Sequence, residues 1–286
     1  MKYIDLHVHT NASDGTCTPS EVVEKALQIG LSAIAITDHD TVSGIKEAKQ
    51  YLKSINKESD LTIIPGVEIS ADYHGRDIHI LGLYINESDK GLNTKLAKAI
   101  ADREARNEKM AENLRKDGID IHVSDLTFGE PNTVITRAHF ARFLTEHGYV
   151  KNNTDAFTKY LGSDTKYYVP RSYMTPKDAI DIILAAGGVP VLAHPLLYKL
   201  DLAGIEELVS YVKSLGMAGI ETIYSSNTGF DEGIVRRFAN KYDLLMTGGS
   251  DFHGSNKPQI SMGTGRGNLK IPETLLEPIK RGCEKL

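Results

Sequence analysis

The sequence predicts an α/β chain of parallel βα units interrupted by a helical insertion. Three observations lead there. Short apolar runs alternate with amphipathic stretches from Tyr3 to Glu68 and again from Thr175 to Thr247, the rhythm of parallel βαβ units. Between about Asn86 and Tyr168 the alternation stops and mixed-charge helical sequence takes over. Histidines and carboxylates collect at or just past the C-terminal ends of the expected strands, the edge that carries the active site in parallel barrels and doubly wound sheets.

The first strand is Tyr3-Ile4-Asp5-Leu6-His7-Val8-His9-Thr10, in which Ile4, Leu6 and Val8 alternate with Asp5, His7 and His9. Alternate residues of a strand share a face, so His7 and His9 point the same way, roughly 7 Å apart along the chain. Thr18-Pro19-Ser20-Glu21 then reads as a capped helix start, with Gly30 as its stop. The run Ala33 to Thr37 is a buried strand that delivers Asp38-His39-Asp40. A helix over about 43–54 follows, and then a strand from Leu61 that ends on Glu68. Tyr73-His74-Gly75-Arg76-Asp77 reads as a turn, and a hairpin over 69–85 brings His79 back to the same rim.

Leu92 to Lys116 interleaves acidic and basic residues, which predicts a solvated helix or helix pair with salt-bridged faces. Thr136 to Leu144 is an amphipathic helix, and 153–161 a further one. The βα rhythm resumes with a second capped start at Thr175-Pro176-Lys177-Asp178 and a helix over 176–186. Strand Val189 to Ala193 ends on His194-Pro195. A helix over about 204–215, strand Ala218 to Ile223, a helix near 231–241 and strand Asp243 to Thr247 lead to Ser250-Asp251-Phe252-His253.

Composition bounds the function. With 286 residues, 41% hydrophobic and 25% charged, the chain is of ordinary globular make-up and long enough for a sizeable core. A net charge of -5 argues against an extended nonspecific nucleic-acid groove, while a local phosphate pocket stays compatible with it. Two distant cysteines, Cys17 and Cys283, form neither a disulfide framework nor a thiolate zinc site. The chain runs straight into a strand, and no apolar run reaches the roughly 20 residues of a membrane helix, so the expectation is a soluble, cytoplasmic protein without membrane or obligate protein partners.

His7, His9, His39, Glu68, His194, Asp251 and His253 all fall at one edge of the expected sheet. Imidazoles and carboxylates without thiolate suit Mn²⁺, Fe²⁺ or Zn²⁺ in catalytic sites. There are too many donors for one tetrahedral ion, and two or three divalent ions sharing a bridging carboxylate is the expected count. Such a centre generates hydroxide near neutral pH and stabilises the oxygens of an in-line phosphoryl displacement.

Taken together, His7-Val8-His9, Ser13-Asp14-Gly15, Thr37-Asp38-His39-Asp40, Gly66-Val67-Glu68, His79, Ala193-His194-Pro195 and Ser250-Asp251-Phe252-His253 resemble the PHP (polymerase and histidinol phosphatase) family, in its order and over nearly the whole chain. The resemblance implies a distorted seven-stranded (β/α) barrel of PHP type. Residues 1–85 and 169–286 would form the barrel and 86–168 a helical, substrate-selecting insertion. It also implies three metal positions: His7, His9, Glu68 and Asp251 at the first; Glu68, His79 and His194 at the second; Asp14, His39 and His253 at the third.

The implied activity is phosphomonoester hydrolysis by a metal-bridging hydroxide, on a small phosphorylated substrate such as a nucleoside 3′,5′-bisphosphate. The alternatives are a 5′→3′ exonuclease on short RNA or DNA, a histidinol-phosphate phosphatase, and a non-catalytic metal-binding regulatory module. Asp38 and Asp40 are candidates to protonate the leaving group or, in preference, to orient His39. Arg137, His139 and Arg171 are candidates for holding a second phosphate, because arginine contacts phosphate through two N–H groups at once. Tyr84 and Tyr224 are candidates either to line the cleft or, equally, to pack in the core, and Glu221 is a candidate to reach the metal rim.

Overall fold

The computed structural model describes residues 2–130, 133–170 and 174–283. Seven strands form one sheet in sequential order: β1 Tyr3–Val8, β2 Leu31–Ile36, β3 Thr62–Tyr73, β4 Arg76–Leu83, β5 Val189–Leu192, β6 Gly219–Tyr224 and β7 Leu245–Gly249. Neighbours pair in parallel except around β4, which is antiparallel to both β3 and β5. The barrel nearly closes where the chain after β7 meets β1: Asp251 N–H donates to the His7 carbonyl at 2.8 Å and His9 N–H to the Phe252 carbonyl at 3.0 Å. This is the distorted seven-stranded barrel that the motifs imply.

The helices are α1 Pro19–Gln28, α2 Ser43–Ser54, α3 Lys90–Lys116, α4 Arg137–Glu146, α5 Asn153–Ala156, α6 Pro176–Ala185, α7 Leu202–Ser214, α8 Gly229–Lys241 and α9 Leu276–Cys283. Both capped starts form. Thr18 Oγ1 accepts from Glu21 N–H while Glu21 accepts from Thr18 N–H, and Thr175 and Asp178 repeat the exchange. The segment expected as a helix over 153–161 divides into the single turn α5 and a wider π-turn over Phe157–Leu161.

Two features correct the sequence expectations. Strand β3 does not end on Glu68 but runs on to Tyr73, turns through His74 (φ 52°) and Gly75 (φ 78°), and returns as β4. Two successive positive φ values suit a two-residue hairpin turn. Because β4 runs backwards, His79 faces the same rim as the ends of the parallel strands, opposite Ser70 in the hairpin register.

Second, α3 is one unbroken helix of 27 residues, about 40 Å long at the usual rise. Its inner face is not solvated: Arg103, Arg106 and Asn107 are buried between Leu92 and Leu96 on one side and Met110, Ala111 and Leu114 on the other. Of the two readings open for Tyr84 (φ 58°), packing against the barrel-interior core is the one that holds.

That interior core draws Ile4 and Leu6 from β1, Ala33 and Ala35 from β2, Leu81 and Leu83 from β4 and Val189 and Val191 from β5, with Leu276 and Ile279 of α9 packed into the same cluster. A separate core joins Met110 and Leu114 of α3 to Phe140, Phe143 and Leu144 of α4 and to Leu161. Leu92 and Leu96, at the other end of α3, belong to a barrel-side core. The long helix therefore ties the inserted segment to the barrel through apolar contacts at both ends, and its central arginines are held over the strand ends.

Candidate metal centre

Glu68, from the middle of β3, is the hub. Its Oε2 lies 3.3 Å from His7 Nε2, 3.1 Å from His9 Nε2 and 3.2 Å from His39 Nδ1. Its Oε1 lies 2.9 Å from His79 Nδ1 and 3.0 Å from His194 Nε2. Asp251 Oδ1 closes one side, 3.6 Å from His7 Nε2 and 3.5 Å from His9 Nε2. Asp14 Oδ1 closes the other, 3.2 Å from His253 Nε2 and 3.5 Å from His9 Nδ1, with Asp14 Oδ2 3.7 Å from His39 Nε2. All nine residues singled out as ligands from the sequence thus come together at one rim.

The donors fall into overlapping groups whose ligand atoms lie within 4.8 Å of one another: His7, His9 and Asp251; His7, Glu68 and His194; His39, Glu68 and His79; and His9, Asp14, His39 and His253. His7, His9, His39 and Glu68 therefore reach two groups each. Buried polar atoms are normally hydrogen-bonded. Here His7 Nε2, His9 Nε2, His39 Nδ1 and Asp14 Oδ1 are buried without a hydrogen bond, all turned toward the same space. Orphaned nitrogen and carboxylate donors without thiolate fit a cluster of divalent ions.

The electrostatics divide the donors: despite burial, the surrounding carboxylates hold His7 well above the usual imidazole range and push His79 up to about 10, while the carboxylates stay ionised and two further imidazoles are held neutral. Burial favours the neutral carboxyl of Glu68, yet His39, His79 and His7 around it hold it well below the usual carboxylate range. Asp14 and Asp251 are buried and held low in the same way, by His253 and His39 for Asp14 and by Lys257 and His253 for Asp251. Burial pushes His9 down to about 4, helped by His253, and pushes His39 down to about 4 against the pull of Glu68 and Asp14. Both imidazoles are therefore in the neutral, metal-binding form at neutral pH.

The backbone is arranged for this constellation. Asp40 (φ 55°), His194 (φ 26°) and Asp251 (φ 57°) adopt left-handed conformations at non-glycine positions, each costing about 1–3 kcal/mol. Around the donors stands a shell that fixes them. Glu221 Oε1 sits 3.1 Å from His7 Nδ1, and Glu221 Oε2 accepts from the backbone N–H of His194 at 2.9 Å, so Glu221 orients the His7 imidazole and pins the chain at His194 rather than contributing a donor to the cluster. Tyr224 donates to Asp251 Oδ2 at 2.7 Å and Lys257 Nζ to the same oxygen at 2.6 Å.

Asp38 and Asp40 are occupied elsewhere. Asp38 accepts from Thr10 N–H, Thr10 Oγ1 and Ser13 Oγ at 2.8, 2.7 and 2.6 Å, which pins the turn that carries Asp14. It makes no bond to His39. Asp40 accepts from Ser70 N–H at 3.1 Å and pairs with Arg103. Neither lines the cleft, so the expectation that one of them protonates the leaving group does not fit.

The cleft above the donors has a volume of about 510 Å³, in the range of small-molecule sites. Asp14, His39, His79 and His253 form part of its wall, and Arg103, Arg106, Arg137 and Lys257 another part. Arg137 reaches the Leu161 carbonyl and Asp77 Oδ2, each at 3.4 Å. His139, expected beside it, does not line this cleft. It is buried, its Nδ1 accepts from Thr136 N–H at 3.0 Å as part of the cap of α4, and burial pushes it down to about 4. Arg171 lies outside the described residues. Sequence reasoning missed Arg103, Arg106 and Lys257.

Comparison with known proteins gives a consistent set of likenesses. A model of the PHP domain matches residues 5–245. A 5′-3′ exoribonuclease of Haemophilus influenzae is 36% identical over 252 residues, 88% of this chain and 90% of that protein. A 3′,5′-nucleoside bisphosphate phosphatase of Chromobacterium violaceum is 32% identical over 254 residues, 88% of each chain. A crystal structure from Bifidobacterium adolescentis, described as a metal-dependent phosphoesterase, superposes with a TM-score of 0.85 at 30% identity, covering 97% of this chain and 95% of that one.

Proposed function

The chain belongs to the PHP domain family and is a metal-dependent phosphoesterase, and from that premise we propose that it removes a phosphate from a nucleoside 3′,5′-bisphosphate. The observation that carries the proposal is the meeting, in one cleft, of the donor cluster, through Asp14, His39, His79 and His253, with four arginines, Arg103, Arg106, Arg137 and Arg266. A substrate with two phosphates needs two anion sites, and the cleft offers two of different chemistry.

His7, His9, Glu68 and Asp251 would hold one ion, Glu68, His79 and His194 a second, and Asp14, His39 and His253 a third. Divalent ions there would lower the pKa of water to near neutrality and neutralise the phosphate oxygens. The chain's own part is to orient and to bind. Glu221 keeps His7 in its rotamer and fixes the backbone at His194. Asp38 fixes the turn bearing Asp14, and Asp40 holds Arg103 at the wall of the cleft. Arg103 lines the cleft while its guanidinium is held by Asp40 and Ser70, which places a positive charge beside the phosphate site. Hydrolysis then adds water at phosphorus, and the ester oxygen leaves as an alcohol with the proton. The inserted segment 86–168 supplies Arg103, Arg106 and Arg137, and so selects the substrate.

Phosphate release from adenosine 3′,5′-bisphosphate, histidinol phosphate and a 5′-phosphorylated oligonucleotide tests the choice with Mn²⁺-loaded protein. Fastest turnover of the bisphosphate is expected; faster turnover of histidinol phosphate would remove the nucleotide assignment. The similarity to an exoribonuclease supports a second reading, in which the same centre trims short RNA from its 5′ end.

Arg137→Ala is expected to raise KM for the bisphosphate by roughly tenfold with a smaller change in kcat, because a ground-state phosphate contact is lost. Arg137→Lys should recover only part of this, since an ammonium lacks the planar fork. An unchanged KM in both variants removes Arg137 from the phosphate site.

A further inference from the structure

The inserted segment is bonded to the turn that carries Asp14. Val134 N–H donates to the Ala12 carbonyl at 3.0 Å, Thr133 Oγ1 to the Ser13 carbonyl, and Thr136 Oγ1 to Asp14 Oδ2 at 2.9 Å. Three successive residues of the turn thus meet one short stretch of chain from far along the sequence. Thr136 is the N-cap of α4 and is buried. Its hydroxyl oxygen accepts from Ala138 N–H at 3.1 Å, which leaves its single proton for Asp14. His139 Nδ1, 3.5 Å from the same hydroxyl, already accepts from Thr136 N–H at 3.0 Å. The two oxygens of Asp14 are therefore unlike. Oδ2 is held by the hydroxyl, while Oδ1 is buried without a hydrogen bond, 3.2 Å from His253 Nε2 and 3.5 Å from His9 Nδ1. Holding one oxygen stops the carboxylate from rotating and keeps the other aimed into the donor cluster.

We propose that Thr136 is the positioning residue of the third ion, through which the inserted segment completes the metal centre. The proposal rests on the metal-centre reading above and deepens it: the insertion, there the source of cleft arginines, becomes a structural part of one ion's site. Asp38 sets the backbone of the turn through Thr10 and Ser13, and Thr136 sets the carboxylate. The other two positions are held by different groups. Glu68 is fixed among its imidazoles, and Asp251 by Tyr224 and Lys257. Loss of the Thr136 hydroxyl should therefore weaken one ion and spare two. Arg137 follows Thr136 directly and lines the cleft, so a single helix start serves both the ion and the substrate.

The test is a calorimetric titration of Mn²⁺ into the metal-free full chain, with bound ions counted by mass spectrometry after dialysis at fixed free Mn²⁺. Three ions are expected in the wild type. Thr136→Gly removes the hydroxyl while keeping a residue that an N-cap accepts almost as well. It should weaken one ion by about 10–100-fold, the usual cost of losing a group that orients a ligand, and leave the other two within about threefold. Thr136→Ser keeps the donor and should bind all three ions as the wild type does. His139→Ala is the control: it removes the acceptor of Thr136 N–H and loosens the same helix start, but leaves the hydroxyl. It should lower Tm and keep three ions. The Mn²⁺ concentration for half-maximal turnover should rise in Thr136→Gly alone. Unchanged binding in Thr136→Gly, an equal loss in His139→Ala, or no rescue by serine overturns the role of Thr136. A wild type that binds only two ions overturns the third position and the proposal with it, whereas one that binds none overturns the metal centre as a whole. The titration needs no substrate, so failure of the bisphosphate assignment leaves its result intact.

Discussion

Glu68→Gln is expected to yield folded protein with hydrolase activity lowered by about a thousand-fold or more and with most of its metal lost. The reason is the position of this one side chain. Five imidazoles lie within 3.3 Å of its two oxygens, so both oxygens are shared. A carboxylate in that place supplies the negative charge that lets several cations sit a few ångströms apart. Glutamine keeps the volume and one carbonyl oxygen but loses the negative charge, and its N–H₂ group can donate to imidazole lone pairs that would otherwise hold an ion. Losing a group that only orients a ligand typically costs 10–100-fold in affinity or activity. Losing the shared carboxylate itself should cost more. Metal content by mass spectrometry and turnover with saturating Mn²⁺ measure the two effects separately. Full activity in the variant would end the assignment of Glu68 as the bridging ligand.

Much of this centre was legible in the sequence because most donors lie in or just past an apolar run of strand length, Asp14 entering only through the family resemblance. His7 with His9, His39, His194 and Asp251 with His253 need only the rule that active sites gather at the C-terminal edge of parallel strands. His79 needed one step more, the turn at His74-Gly75 that reverses β4. What stayed hidden depends on long-range packing. Arg103 and Asn107 fall in phase with Leu92, Leu96, Met110 and Leu114, so a 3.6-residue period puts them on the buried face of α3. The abundance of lysine and glutamate around them masks that phase, and the segment reads as a solvated helix. Lys257 lies in an irregular stretch without any period, and its pairing with Asp251 follows only from the closed barrel. His139 misleads for the opposite reason: it sits at the third position of α4, where the local demand for a cap takes its side chain.

Gly249→Ala is expected to lower stability by about 3 kcal/mol, the upper part of the range for overpacking a tight site, and to remove activity with it. Gly249 is the last residue of β7, and a Cβ built there would stand 2.1 Å from His7 Cβ, 2.7 Å from His7 N and 2.9 Å from His7 Cα. Two of these atoms are backbone, so no rotamer change relieves the clash. The strands must move apart, and this is the seam where Asp251 N–H bonds to the His7 carbonyl and His9 N–H to that of Phe252. Opening it displaces His7, His9 and Asp251 together, three donors of the cluster.

For a chain of this size the stability loss corresponds to a fall in Tm of roughly 6–12 °C. Gly30→Ala is the matching control. Its φ of +76° makes alanine strained by about 1 kcal/mol, but nothing lies within 4 Å of the added carbon and α1 ends far along the chain from the donors. That variant should melt slightly earlier and keep wild-type kcat and metal content. Thermal melts and metal analysis of the two alanine variants separate a general loss of stability from a displaced ligand set. Wild-type Tm and turnover in Gly249→Ala would mean that β1 and β7 do not meet as closely as this seam requires.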